Sequence, residues 1–310
     1  MSPLLLAVLG LVVPLALGAL AGGRSLFRDP EGAIDALNVY ALRFGFPALI
    51  VRGLVVTDAG LPREPGFWLL VPLVFIGCVA VVRLLAQPVA GTLALILAFG
   101  NVAYLGLPLV EATLGDDALA LASVAVPLHL VLGLSVGPAL LVRWAGGEGA
   151  MRWRPILTQP LLWAPFVGLA LRALPPAGRA LVVALVAPVA KSAGAVALFL
   201  LGLYLWRNRH RARQVDGWDV VHVGFKQALM PALTVGVAWG FAQVGWLSAA
   251  SAQVLVLLAL MPAAITTFSL AHDLEVGATR VGRAIVTTSL ASLLLVPAGV
   301  WLVRGWVASW

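Results

Sequence analysis

Apolar positions in this chain come in long unbroken runs rather than in alternation. Leu4–Leu17 and Val254–Leu260 are apolar on every face. A strand of a closed barrel would alternate polar and apolar residues, and a surface helix would keep one polar stripe. Runs of about 20 apolar residues are what a helix needs to cross the hydrocarbon core. In lipid the backbone must bond to itself, so these runs are read as helices. The pattern predicts an all-α polytopic membrane protein with ten spans, at 2–21, 35–56, 67–86, 90–112, 118–144, 160–174, 179–206, 219–243, 248–271 and 279–304. The sixth is short and flanked by proline. Ala19-Leu20-Ala21 resembles a signal-peptidase site, but no basic residue precedes the first apolar run, so a retained first helix is expected.

Composition agrees with that pattern. Of 310 residues, 62% are hydrophobic and 11% charged, and mean hydropathy is +1.03. The charged share is under half of the roughly 25% usual for soluble domains. A net charge of +7 raises the question of nucleic acid, but the basic residues sit in short loops beside apolar spans, where they would meet lipid headgroups. The partner implied is the bilayer, not a nucleic acid.

Loop charge also orients the chain. One side holds Arg24, Arg28, Arg83, Arg143, Arg152, Arg154, Arg207, Arg209, Arg211, Arg213, Arg280 and Arg283; the other holds Arg52, Arg63, Arg172, Arg179 and Arg304. Positive residues favour the cytoplasm, so both termini are expected outside, in a bacterial inner (cell) membrane. The dense run Arg207–Arg213 reads as a cytoplasmic anchor, and Met151–Pro155 as a short interfacial segment. The single cysteine, Cys78, excludes an intrachain disulfide.

Two spans are interrupted near their middles. The fourth reads Gly100-Asn101 through Gly106-Leu107-Pro108, and the ninth reads Met261-Pro262-Ala263-Ala264. Proline removes a backbone donor and glycine loosens a helix. Unwound backbone at membrane depth is tolerated only where protein or a wet cavity surrounds it. Plain proline kinks would account for either break alone, but the two occupy matching places if the chain is halved. The halves are 1–144 and 160–310, joined by a cytoplasmic linker at 145–159. Five spans per half is an odd number, so the second half enters from the opposite face, and paired broken helices mark a midplane site.

On these residues the chain resembles the auxin efflux carrier family, in particular its bacterial malonate-transporter-like members. The resemblance rests on Leu37-Asn38 with Phe46-Pro47-Ala48, on Gly100-Asn101 with Gly106-Leu107-Pro108, and on Ala197–Gly202. It extends to Lys226 with Pro231, Met261–Ala264, Leu270-Ala271 and Thr287-Thr288. The resemblance implies two inverted five-helix repeats, crossing broken helices beside the substrate, an elevator-like movement against a scaffold, and a homodimer. It places Asn101, Gly106 and Pro108 in the first crossover and Met261 and Pro262 in the second. Ala195 and Thr266 depart from the family pattern, where proline and a second amide are common.

Charges inside spans bear on the substrate. Arg43 and Lys226 lie within two turns of a span end, so snorkelling and a functional role both stand as readings. Lys191 lies near mid-span, where a functional or internally paired lysine is expected. All acidic residues map to loops or span ends, with Glu111 the deepest. No carboxylate is evident to hold a cation, whereas lysines, an asparagine amide and helix N-termini all favour an anion. His129 is read as a helix-packing histidine, with proton relay as the alternative, and His222 as an interface residue.

The expected function is therefore a secondary transporter or facilitator of a small organic carboxylate anion by alternating access. An anion channel, or a cation-coupled carrier of another substrate, is the alternative. No enzyme constellation occurs within the spans, and no cofactor or metal is expected; H+ or Na+ remain as coupling ions. The substrate candidates are Asn101, Tyr104, Gly106, Pro108, Met261, Pro262, Thr266 and Lys191. Lys226, His129 and Arg43 are the coupling or gating candidates.

Overall fold

The computed structural model describes residues 3–57, 61–145 and 157–310, so the segment Met151–Pro155 lies outside the described residues. Every regular element in them is helical, apart from one isolated β-bridge. In chain order the main helices are α1 Pro3–Gly23, α2 Pro30–Val56, α3 Pro65–Leu85, α4 Ala90–Ala98 and α5 Val102–Leu114. They continue with α6 Asp116–Trp144, α7 Pro160–Leu171, α8 Pro176–Arg207 and α9 Gly217–Gln243, and end with α10 Ala249–Ala259, α11 Thr266–Asp273 and α12 Ala278–Gly305. Six segments, beginning at Pro30, Pro65, Asp116, Pro176, Gly217 and Ala278, are long and apolar enough to cross a membrane. The segments read at 90–112 and 248–271 are each two short helices separated by non-helical backbone.

The helix starts follow local chemistry. Asp29 caps α2 by accepting from the N–H groups of Glu31 (3.1 Å) and Gly32 (3.0 Å), with Pro30 in the first turn. Asp216 and Asp219 form a reciprocal capping box at the start of α9. Ser248 caps α10 by accepting from Ser251 N–H at 3.3 Å.

Three helices widen into a π turn, at Ala41–Gly45, Val102–Gly106 and Phe225–Leu229. Each turn ends two residues before a proline, namely Pro47, Pro108 and Pro231. A proline ring clashes with the carbonyl four residues back and donates nothing to it. The extra residue of a π turn moves that carbonyl aside. These three prolines are therefore sites of helix widening rather than simple kinks, and the turns they create carry Arg43, Tyr104 and Lys226.

The chain divides into two compact units, each drawn from three separate segments. The first comprises 1–61, 103–127 and 157–209; the second comprises 62–102, 128–156 and 210–310. Each takes residues from both halves of the sequence.

In the first unit α1 lies directly on α8. A side chain at Gly18 would overlap the Phe199 carbonyl, and one at Gly202 would overlap the Leu15 carbonyl. Small residues let two backbones approach this closely, which is how helices gain packing energy in lipid. Gly45 meets Ala193 and Gly168 meets Leu54 in the same manner, seating α2 on α8 and α7. Tyr40 and Ser192 share a hydrogen bond of 2.6 Å. Arg52 of α2 pairs with Glu111 and, at 3.2 Å, with Asp116.

The second unit is built around α4 and α10. All nine residues of α4 are buried. The second half of α6 covers α4, with Gly137 against Ala98 and Leu95 and Gly133 against Phe99. Gly299 of α12 receives Leu260 beside the end of α10. α3 is tied to the α9–α10 turn by Gly66 N–H donating to Trp246 O at 2.9 Å.

Gly202→Val should force the α1–α8 crossing apart and lower stability by about 1–3 kcal/mol or more, as overpacking does. Gly236→Ala, where the added atom meets nothing within 4 Å, is the control. Thermal unfolding in detergent is expected to separate the two variants.

Candidate functional site

The two interruptions meet within the second unit. Helix α4 ends at Ala98 and α10 at Ala259, and the following segments run antiparallel through a bridge between Gly100 and Ala263. Asn101 N–H donates to Pro262 O at 2.7 Å, and Ala264 N–H donates to Phe99 O at 3.0 Å. Each broken helix thus supplies the partners that the other lost, as buried backbone requires. The Asn101 and Ala264 backbone donors are therefore committed to each other's segment and are not open to a ligand.

What stays uncommitted is the side chain of Asn101. It is 1% exposed, and neither its Oδ1 nor its Nδ2 has a hydrogen-bond partner. Buried amides are nearly always bonded. The first turns of α5 and α11 both begin beside the bridge, so two positive helix ends start here.

The π turn of α9 supports the crossover from below. Lys226 is 1% exposed, and its Nζ lies 3.0 Å from where a Cβ on Gly100 would stand. Its Nζ also donates to Met230 Sδ at 3.4 Å. The reading of Lys226 as a snorkelling side chain is therefore overturned: it extends into the interior beneath the break. The neighbouring Gln227 donates through Nε2 to Thr288 O at 3.1 Å, leaving its Oε1 buried and without a partner. Thr288 in turn donates to Ala284 O at 2.6 Å and accepts from Ala263 N–H at 3.2 Å. One helical turn thus holds both sides of the crossover, through Lys226 at Gly100 and through Gln227 and Thr288 at Ala263.

At the start of α9 lies a group that the sequence did not single out. Asp219 is fully buried, so it, and not Glu111 (32% exposed), is the most enclosed acid described. Its carboxylate is engaged by Arg283 Nε at 3.1 Å, and Arg283 also donates to Asp216 at 2.7 Å. Arg280 stands 4.0 Å from Asp216. An ordinary reading places Asp219 at a solvated helix end; the pairing with Arg283, sixty-four residues on, is visible only once α9 and α12 pack. His222, read as an interface residue, is instead fully buried, with Nδ1 at 2.6 Å from Trp218 O and Nε2 at 2.9 Å from Thr92 Oγ1.

The candidate residues fall in both units. Asn101, Met261, Pro262, Thr266, Lys226 and His129 belong to the second. Met261 is fully buried, Thr266 half-buried, and His129 buried at 4%. Tyr104, Gly106, Pro108, Lys191 and Arg43 belong to the first. Tyr104 donates to Asn38 Oδ1 and stacks edge-on against Phe46, and Pro108 packs on Gly194. Lys191 and Arg43 are exposed. An internally paired Lys191 is thus corrected: no ion pair to it forms among the described residues. Mid-span position along a sequence does not tell which way the residue faces on its helix.

Thr288→Val keeps the shape but leaves Ala263 N–H buried without an acceptor. A loss of about 1–3 kcal/mol is expected, with Thr288→Ser recovering most of it in a detergent melt. A second expectation concerns acid. Withdrawal from water pushes the Asp216 carboxyl up, but the N–H groups of Asp219 and Trp218 and the guanidiniums of Arg283 and Arg280 outweigh it. The net position is below the ordinary 3.8. A depressed carboxylate stabilises the fold above its unfolded value and loses that contribution as pH falls through its folded value. The stability difference between wild type and Asp216→Asn should therefore be full at neutral pH and fade below the ordinary carboxylate range, read by melts across a pH series.

No curated protein matches the chain. A family model described as membrane transport protein matches residues 148–301, about half of the sequence, and that half contains α9, α10 and most of α12, with Lys226, Met261 and Pro262. That family is one of membrane transporters and not of enzymes. With its apolar helices and the domain at residues 148–301, the chain is a multi-pass membrane protein that belongs to the auxin efflux carrier family.

Proposed function

We propose that this transporter carries a small organic carboxylate anion, bound at the crossing of the two broken helices and moved by alternating access. One observation carries the reading: the Asn101 amide, 1% exposed, has both polar atoms unpartnered beside the bridge. Lys226 brings a cation to the adjacent Gly100, and the N-terminal ends of α5 and α11 start at the same place. All three favour negative charge. A carboxylate accepts two or more hydrogen bonds in one plane, which suits an amide donor beside an ammonium.

The same reading extends to the architecture. Ten spans in two inverted five-helix repeats place the paired breaks at the bilayer midplane. Asn101, Lys226, Gln227, Thr288 and Met261–Ala264 share one compact unit. Carrying the site across then needs that unit to move as a body, an elevator-like step, without opening the crossover. The membrane is the cell inner membrane, with both termini outside, on the loop-charge argument.

Uptake of radiolabelled malonate and related carboxylates into proteoliposomes tests the proposal. Saturable uptake, inhibited by unlabelled substrate and reduced at least about a hundredfold by Asn101→Ala, is the expected result, in the range seen when a buried hydrogen-bonded recognition group is lost. Uptake indifferent to Asn101→Ala would move the site elsewhere, and no uptake of any carboxylate would refute the anion reading.

A further inference from the structure

The surroundings of Lys226 raise a question that anion binding alone does not answer. The chain has two lysines; Lys191 is exposed, while Lys226 is among the largest fully buried side chains of the described residues. An ammonium sealed from water without a counter-charge costs several kcal/mol. The neighbours do not supply one. From α3 the group in electrostatic range is the Cys78 thiol, itself fully buried. α4 and the break bring Gly100 and no titratable side chain. On α12 the charged groups near this end are Arg280 and Arg283, of which Arg283 is held by Asp216 and Asp219. On α9 itself, one turn earlier, His222 is bound to Thr92 and Trp218. Among the described residues no ion pair to Lys226 is formed, and its hydrogen bond goes to the weak acceptor Met230 Sδ.

We infer that Lys226 is the proton carrier of the transport site, taking up one proton as the substrate carboxylate enters and releasing it as the carboxylate leaves. The inference rests on the proposed anion site. In the empty site the side chain is a neutral amine, which removes the cost of a lone buried charge. When a carboxylate arrives, a proton from the water on that side joins Nζ, and the ammonium and carboxylate neutralise each other. On the opposite side the anion departs and Nζ returns its proton to that water. The added charge is zero in the empty site, and in the loaded site the proton neutralises one carboxylate, so the loaded site carries one negative charge fewer through lipid than the bare anion would. Linkage makes the coupling reciprocal: a proton on Lys226 tightens anion binding by the factor by which the anion tightens proton binding. An arginine here could not do this, because it keeps its proton at any ordinary pH.

The test uses the full chain in proteoliposomes, with radiolabelled malonate and the membrane potential clamped at zero by potassium and valinomycin. An inward proton gradient should drive accumulation of about tenfold per pH unit, the factor that one transported proton supplies. Lys226→Arg keeps the charge but not the exchange of protons. It should lose accumulation driven by the gradient, whatever counterflow it keeps. Proton uptake on binding provides a measurement on the wild type alone. In weakly buffered detergent solution with a pH indicator, one proton should disappear from solution per malonate bound, even if the variant fails to fold. Malonate uptake that ignores the proton gradient, or binding without proton uptake, would overturn the inference and leave the anion carrier standing. Accumulation by Lys226→Arg equal to wild type would overturn it as well. Absence of uptake for every carboxylate would overturn both readings together.

Discussion

The demand that a broken helix find partners for its freed backbone groups, in a medium that offers no water, governs the second unit. Asn101 N–H to Pro262 O and Ala264 N–H to Phe99 O meet that demand by pairing one break with the other. Neither break could be satisfied alone, because each contributes one donor and one acceptor to the shared bridge. The remaining features follow from holding these two segments together. α4 is buried along its whole length, α10 over most of its own, and Thr288 takes a further N–H, that of Ala263.

A second consequence concerns where polarity is left over. Among the buried side chains, polar atoms left without a partner include the Asn101 amide beside the crossover, Gln227 Oε1 on α9 and Ser289 Oγ on α12. Side chains can exchange partners when a ligand comes and goes, whereas the backbone bridge cannot do so without unfolding the crossing. A rigid peptide framework with a few free side-chain groups is what a site needs if it is to stay intact while it changes its exposure. The π turn before Pro231 belongs to the same design. It widens α9 by one residue, and that turn holds both Lys226 and Gln227.

Much of this was legible in the chain. Apolar runs gave the helices to within a few residues. Gly100-Asn101, Pro108 and Met261-Pro262 located the breaks, because glycine and proline act on the backbone where they stand. Side-chain surroundings were less legible. Lys226 and Lys191 looked alike as cations within apolar spans, with Lys191 the deeper by position; the fold exposes Lys191 and seals Lys226. Asp219 looked like an ordinary helix-start acid and proved to be buried against Arg283.

The sequence by itself determined that the chain is helical and suited to lipid, where its helices begin, and where two of them must break. These are consequences of local composition, of capping groups and of backbone stereochemistry, which act over a few residues. Only the tertiary structure decided that the breaks satisfy each other, that Gly100 makes room for Lys226 Nζ, and that Arg283 neutralises Asp219. Each of these joins residues on different helices, far apart in the chain. The rotation of each helix about its axis, fixed by packing at contacts such as Gly137 on Ala98 and Gly299 on Leu260, sets which side chains meet. An all-round apolar helix has no polar stripe to announce that rotation beforehand.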